Sequence, residues 1–218
     1  MEIRGHGLGD RRGGGEDLWV LGGHVFNLFQ CFGGEPESCS GTILQNGKPV
    51  TREDVVNGAE GLGLLAGNEI HARWRLNSGV TASYTTFAND GSDKKGYAAR
   101  LIGTKGAISI HIDRDPIAWL CPGNPFDPAS RSNDRIPITS AGLSKTEIQP
   151  GLIASVHDHT LAIQDLIDAV DDDRDPLCDG RQGAMAVEMT CSIFESHLQN
   201  GAWVPLPLTE RDNPLSRL

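Results

Sequence analysis

Asp17, Trp19, His24 and Asn27 fall within one short run, Gly13-Gly14-Gly15-Glu16-Asp17-Leu18-Trp19-Val20-Leu21-Gly22-Gly23-His24, followed by Val25-Phe26-Asn27. These side chains could bind a hydroxylated ligand and move one of its protons. A neutral imidazole near pH 7 suits proton abstraction. A carboxylate can assist it, and an amide and an indole can hold hydroxyls. Read as a helix, Asp17, Val20, His24, Asn27 and Cys31 recur at three- and four-residue steps on one face. Leu18, Leu21, Val25, Leu28 and Phe32 make a second, apolar stripe. The apolar stripe is expected in the core and the other in a cleft. Asp17 and His24 lie two turns apart, roughly 10 Å along the axis at ~1.5 Å rise per residue. That is too far for a direct hydrogen bond, yet both could reach one bound polyol. The plain alternative is a helix histidine satisfied by its surroundings.

The elements that must position these groups follow from periodicity and turn signals. Residues 1–15 are basic and glycine-rich, with Arg4, Arg11 and Arg12, and read as a linker or exposed arm. The first helix is predicted from Glu16 to Phe32, stopped by Gly33-Gly34. A strand near Ser38–Leu44 precedes an Asn46-Gly47 turn. Residues 52–67 read as a glycine-rich loop, and Gly61-Leu62-Gly63 lacks the strand and helix context of a dinucleotide fingerprint. Glu69–Leu76 alternates, with Ile70, Ala72, Trp74 and Leu76 on one face, and pairs with Val80–Phe87 as a hairpin. A second hairpin joins Tyr97–Ile102 to Ala107–Ile112 across Gly103-Thr104-Lys105-Gly106. Residues 121–150, rich in Pro, Asn, Asp and Ser, read as a long irregular loop. A helix from His157 to Val170 carries Ile163, Leu166, Ile167 and Val170 on one face. A final helix, Gly180 to Leu198, is expected to bury Val187, Cys191, Phe194 and Leu198. Trp203–Leu208 closes the chain as an edge strand.

Composition bounds the function. The chain has 218 residues, 38% hydrophobic and 22% charged, with a net charge of -10. That balance argues against nucleic acid and anionic membranes as partners. Five scattered cysteines without a Cys-x-x-Cys pair, and an opening without a signal-peptide pattern, read as a cytoplasmic protein. No apolar run approaches the ~18–20 residues of a membrane span. His157-Asp158-His159 is better read as a helix start with Asp158 as N-cap than as a metal site. The aspartates of Asp171-Asp172-Asp173-Arg174-Asp175 read as a solvated turn. No metal is expected.

Three ordered motifs give the chain its likeness. They are the glycine-rich segment ending Gly22-Gly23-His24, the turn Leu101-Ile102-Gly103-Thr104-Lys105-Gly106-Ala107-Ile108, and the series from Leu161 to Leu208 closing on Val204-Pro205-Leu206-Pro207-Leu208. Together, over about residues 13 to 208, they resemble the C-terminal domain of the Gfo/Idh/MocA oxidoreductases, the glucose-fructose oxidoreductase and inositol dehydrogenase family. The resemblance implies NAD(P)-dependent oxidation of a sugar or polyol, with His24 beside the oxidised hydroxyl. The carboxylate that this family carries four residues earlier is Val20 here, and Asp17 is the candidate substitute. Trp19 and Asn27 are the candidate substrate-binding residues. The family's dinucleotide-binding domain and its Glu-Lys-Pro lysine match nothing in this chain, so the cofactor is expected on a separate domain.

The expected fold is α+β: an open, predominantly antiparallel sheet with two to three helices packed on one face, over residues 16–218. The expected role is a substrate-binding and oligomerisation half of a sugar or polyol oxidoreductase, inactive alone, that self-associates through its free sheet face. The alternative is a non-catalytic carbohydrate-binding or scaffold protein on the same fold.

Overall fold

A computed structural model describes residues 1–91, 96–126 and 135–218. Its strands are β1 (Glu2–His6), β2 (Pro36–Gln45), β3 (Lys48–Pro49), β4 (Val56–Asn57), β5 (Leu64–Leu65), β6 (Glu69–Leu76) and β7 (Thr81–Phe87). They continue with β8 (Ala98–Gly103), β9 (Gly106–His111), β10 (Ala118–Pro122), β11 (Ile136–Thr139), β12 (Gly142–Leu143) and β13 (Val204–Pro205). Between them run α1 (Gly15–Asp17), a π-helical turn (Leu18–Gly22), α2 (Gly23–Gly33), α3 (Leu152–His157), α4 (Thr160–Asp171) and α5 (Gly180–Leu198).

One open sheet dominates, in the order β12-β11-β10-β9-β8-β1-β7-β6-β2-β13, with β3 also on β2. Its ladders are antiparallel except β1 on β7. The predicted α+β class and the open antiparallel sheet are what the chain adopts. Period-two alternation puts Ile70, Ala72, Trp74 and Leu76 of β6 on the inner face, as predicted, beside Ala82 and Tyr84 of β7. Phe26 of α2 sets its ring 4.9 Å from Trp74 and 5.2 Å from Tyr84. From α5, Ser192 accepts the Trp74 indole N–H at 3.2 Å. Burying large apolar side chains of this kind supplies about 1.5–3 kcal/mol each. The opposite face of the sheet carries Glu2, Arg4 and His6 alongside Arg73, His71, Arg100 and His111 in adjacent registers.

The predicted arm over residues 1–15 does not hold at its start. Glu2–His6 is an interior strand between β7 and β8. Its inner positions are Ile3 and Gly5, and a Cβ on Gly5 would lie 2.4 Å from Val25. Glycine therefore serves close helix packing there, not flexibility.

The helix predicted at Glu16–Phe32 is a helical stretch without gaps, α1, the π-helical turn and α2 following directly on one another. The long loop predicted for 121–150 contains β11 and β12, and its residues 127–134 lie outside the described residues. The helix predicted at His157–Val170 is two helices, broken at His159, whose φ is 57°. His159, not Asp158, occupies the N-cap of α4, and no side chain caps it.

On α4 the apolar stripe is not core: Ile163, Leu166, Ile167 and Val170 are exposed and Ala169 is buried. On α5 the buried set includes Ala186, Met189, Ile193 and Phe194, while Val187 is exposed. Phe194 is buried as expected; the rest of the stripe is displaced by about one position. Among the described residues, no helix is long and apolar enough to cross a membrane.

Candidate functional site

The site starts with how the glycine triplet enters the helix. Gly14 has φ 86°, and a Cβ there would meet the Gly67 carbonyl at 2.4 Å. Its N–H donates to Thr86 Oγ1 at 3.0 Å, and Gly15 N–H donates to the Gly67 carbonyl at 3.0 Å. The chain thus crosses close over the end of β7 before turning into α1.

The π-helical turn then decides which side chains share a face. A π turn accommodates an extra residue relative to an α turn. At ~3.6 residues per turn, one extra residue rotates the following face by roughly 100°. Asp17 and His24, two turns apart in a regular helix, are thereby sent in different directions.

Asp17 points into the core and is 1% exposed. Its Oδ2 accepts from Tyr84 at 2.8 Å, Thr86 at 2.8 Å and the Leu8 N–H at 3.1 Å, while Oδ1 is buried without a partner among the described residues. Burial pushes its pKa up, against the pull of the Thr86, Tyr84 and Leu8 bonds. This corrects the expectation that Asp17 faces the cleft. The core stripe is corrected too: Leu18, Val25, Phe26 and Phe29 are buried, and Phe32 is exposed.

The other side of the stretch lines a cavity of about 470 Å³. One wall is Trp19, Val20, Gly23, His24, Asn27 and Leu28; α5 supplies Gly183, Ala186, Val187 and Thr190. Three of the four sequence-predicted site residues, His24, Trp19 and Asn27, therefore meet in one place. His24 sits at the rim in contact with solvent and stacks on Tyr97, with centroids 5.6 Å apart and rings 9° from parallel. Partial burial of the ring lowers its pKa, and the charge of His159 lowers it further. That direction favours the neutral imidazole, the form that can accept a proton. Asn27 Nδ2 donates to Cys178 Sγ at 3.3 Å, tying α2 to the residue just before the Asp179 N-cap of α5. Trp19 packs against Phe194 at 5.9 Å, and its buried Nε1–H has no acceptor among the described residues.

Sequence reasoning missed Tyr97, Cys178 and the α5 wall. Helical spacing assigns Val187 to the core because it cannot by itself tell a cavity face from a core face. Tyr97 lies just before β8, and only the tertiary fold brings it over His24.

Other expectations resolve simply. Gly61 and Gly63, both with φ 76°, sit in the connection before β5, which pairs only with β4. That is not the strand–turn–helix geometry of a dinucleotide cradle. Among the described residues, no group of three His, Cys, Asp or Glu side chains could hold a metal ion. His71 pairs with Glu69 at 2.7 Å on the free sheet face. His197 links Ile43 N–H and the Val50 carbonyl.

A family model described as "Oxidoreductase family, C-terminal alpha/beta domain" (GFO_IDH_MocA_C) matches residues 10–206. No curated protein matches the sequence. Among solved structures, levoglucosan dehydrogenase in complex with NADH and levoglucosan has a TM-score of 0.59 at 14% identity, over 95% of this chain and 59% of that one. The WlbA dehydrogenase from Bordetella pertussis, in complex with NADH and UDP-GlcNAcA, has a TM-score of 0.56 at 17% identity, over 95% and 56%. An NAD binding oxidoreductase from Klebsiella pneumoniae has a TM-score of 0.62 at 12% identity, over 97% and 59%. The chain thus spans under two thirds of the length of each.

Proposed function

Because this chain belongs to the Gfo/Idh/MocA oxidoreductases, through their C-terminal α/β domain, we propose that it is the substrate-binding half of an NAD(P)-dependent sugar or polyol oxidoreductase. The observation that carries this reading is the position of His24 on the wall of the largely apolar cavity, beside Trp19 and Asn27. In the proposed reaction His24 takes the proton of the substrate hydroxyl. Asn27, oriented by Cys178, holds a neighbouring hydroxyl, and the Trp19 ring packs beside it. Tyr97 fixes the plane of the imidazole by stacking. A nicotinamide brought to this wall would supply the hydride acceptor.

In this reading the cofactor is brought by a dinucleotide-binding domain, in keeping with the NADH complexes of the longer similar structures. The exposed apolar face of α4 supports such a partner: Leu166 is 54% exposed and Val170 74%. Surfaces of that kind mark interaction sites. The free sheet face, with Arg73 and Arg75 buttressed by the Trp203 ring, is the surface for self-association. Five free cysteines accord with a cytoplasmic location.

The test is to co-express the chain with a dinucleotide-binding domain of the family and follow sugar-dependent NAD(P) reduction. The chain alone gives none. His24→Ala in the assembled enzyme lowers kcat by about 100-fold or more, as for removal of a general base. A loss of only a few-fold removes the proton-transfer role.

A second reading, a carbohydrate-binding module without chemistry, is favoured by one observation. Asp17 is in the core and Val20 stands four residues before His24, so no carboxylate partners the imidazole on its own helix. Binding of a sugar without turnover in the assembled protein would select it.

A further inference from the structure

Glycines in this chain have identifiable reasons, with few exceptions. Most described ones either adopt a positive φ or would press a Cβ against a neighbour. Within α2, a Cβ on Gly33 would lie 2.2 Å from the buried Leu76 side chain, and at Gly22, just before it, a Cβ would stand at ordinary contact distance, 3.4 Å, from Leu18 and Phe26. Only Gly23, Gly180 and Gly183 among the described residues combine a φ outside the positive region with no heavy atom within 4 Å of where Cβ would sit.

Gly180 is the first residue of α5, where helix propensity counts least. Gly23 and Gly183 are inside the helical stretches, where glycine is less favourable than alanine by about 1 kcal/mol. Neither packing nor backbone geometry requires them. Both line the cavity that holds His24, one from each of its two helical walls.

From this we infer that Gly23 and Gly183 determine specificity: they leave the helix backbones bare so that the rigid face of a cyclic sugar or cyclitol can lie against them. The inference rests on the sugar-site reading above and narrows it to ring-shaped substrates. A ligand atom packs at about 3.5–4.0 Å from the surface it touches. A methyl on either glycine would hold a locked ring off that wall and away from the imidazole. An open-chain alditol can bend around one methyl and loses less. The walls suit such a ligand: Val20, Leu28 and Val187 meet its C–H face, and His24, Asn27 and Thr190 meet its hydroxyls.

The experiment compares the wild-type chain with Gly23→Ala and Gly183→Ala in two measurements. The first is thermal unfolding without ligand, where each variant is expected to melt about 2–4 °C higher. The second is saturation-transfer NMR with levoglucosan as the locked-ring probe and sorbitol as the open-chain probe. Wild type is expected to favour levoglucosan. Each variant is expected to lose at least about five-fold of that affinity, from the forfeited contacts, and to keep sorbitol binding within about two-fold. A lower melting temperature in either variant would show that the glycine serves the fold and would overturn the proposal. So would higher stability with levoglucosan binding unchanged. A wild-type chain silent to both probes, with both variants more stable, would overturn the sugar-site reading itself and this proposal with it.

Discussion

The Asp17 carboxylate accepts the Tyr84 hydroxyl at 2.8 Å inside the sheet–helix core. It binds the start of the helix to β7 and, through the Leu8 N–H, to the chain leaving β1. Its second oxygen has no partner among the described residues. Asp17→Ala strands two hydroxyls and one amide, and is expected to cost about 2–4 kcal/mol in denaturant unfolding. Asp17→Asn can still accept at its oxygen and stays within about 1 kcal/mol of wild type at pH 7. The sign of the pH effect follows from the raised pKa. Above the ordinary value of 3.8 the unfolded chain has lost a proton that the folded chain still holds. This group therefore makes stability fall as pH rises, up to the raised folded value. The Asn variant lacks that slope.

His24 behaves in the opposite sense. Its folded pKa lies below the ordinary 6.5, through burial and the His159 charge. Between that lowered value and about 6.5 the unfolded chain binds more protons, so stability falls as pH falls. His111, lowered by burial and the nearby Arg114, adds to the same slope. In NMR titration, the His24 ring protons should give a midpoint below the ordinary 6.5. Tyr97→Leu removes the stacked ring and should move that midpoint. An unshifted or raised midpoint in wild type would remove the argument that His24 is kept neutral by its wall.

Thiol reactivity should divide four of the five cysteines into two pairs. Cys31 and Cys178 are exposed and should be alkylated by iodoacetamide in the folded chain at about pH 8. Burial pushes Cys39 up to about 12 and Cys191 up to about 11, so both should remain unmodified until unfolding. Peptide mapping by mass spectrometry reads the result. Because Cys178 lines the cavity and holds Asn27, its adduct should also weaken the sugar binding proposed for that cavity, whereas a Cys31 adduct should not.

The α4 face tests the partner reading. Leu166→Ser and Val170→Ser replace exposed side chains and should change stability by no more than about 0.5 kcal/mol. Association with a dinucleotide-binding domain, by titration calorimetry, should weaken about ten-fold or more for the pair, as loss of buried apolar area requires. Unchanged association would place the partner elsewhere.

Much of the architecture is legible in the residue order, because the signals are local. Alternation in Glu69–Leu76, the Gly33-Gly34 stop and the Gly103–Gly106 turn each depend on neighbours a few positions away. So does the association of His24, Trp19 and Asn27, which lie within about two helical turns. The tertiary structure decided the rest, and each case has a physical reason. Whether Glu2–His6 is an arm or an interior strand depends on β7 and β8, which come from far along the chain. Whether Asp17 faces a cleft or the core depends on the π-helical turn, since a uniform period of ~3.6 residues cannot register an extra residue within one turn. Whether Val187 or Leu166 is buried depends on what lies opposite, which periodicity does not encode. Residue order thus set the composition of the His24 wall, and long-range packing chose which of its side chains look into the cavity.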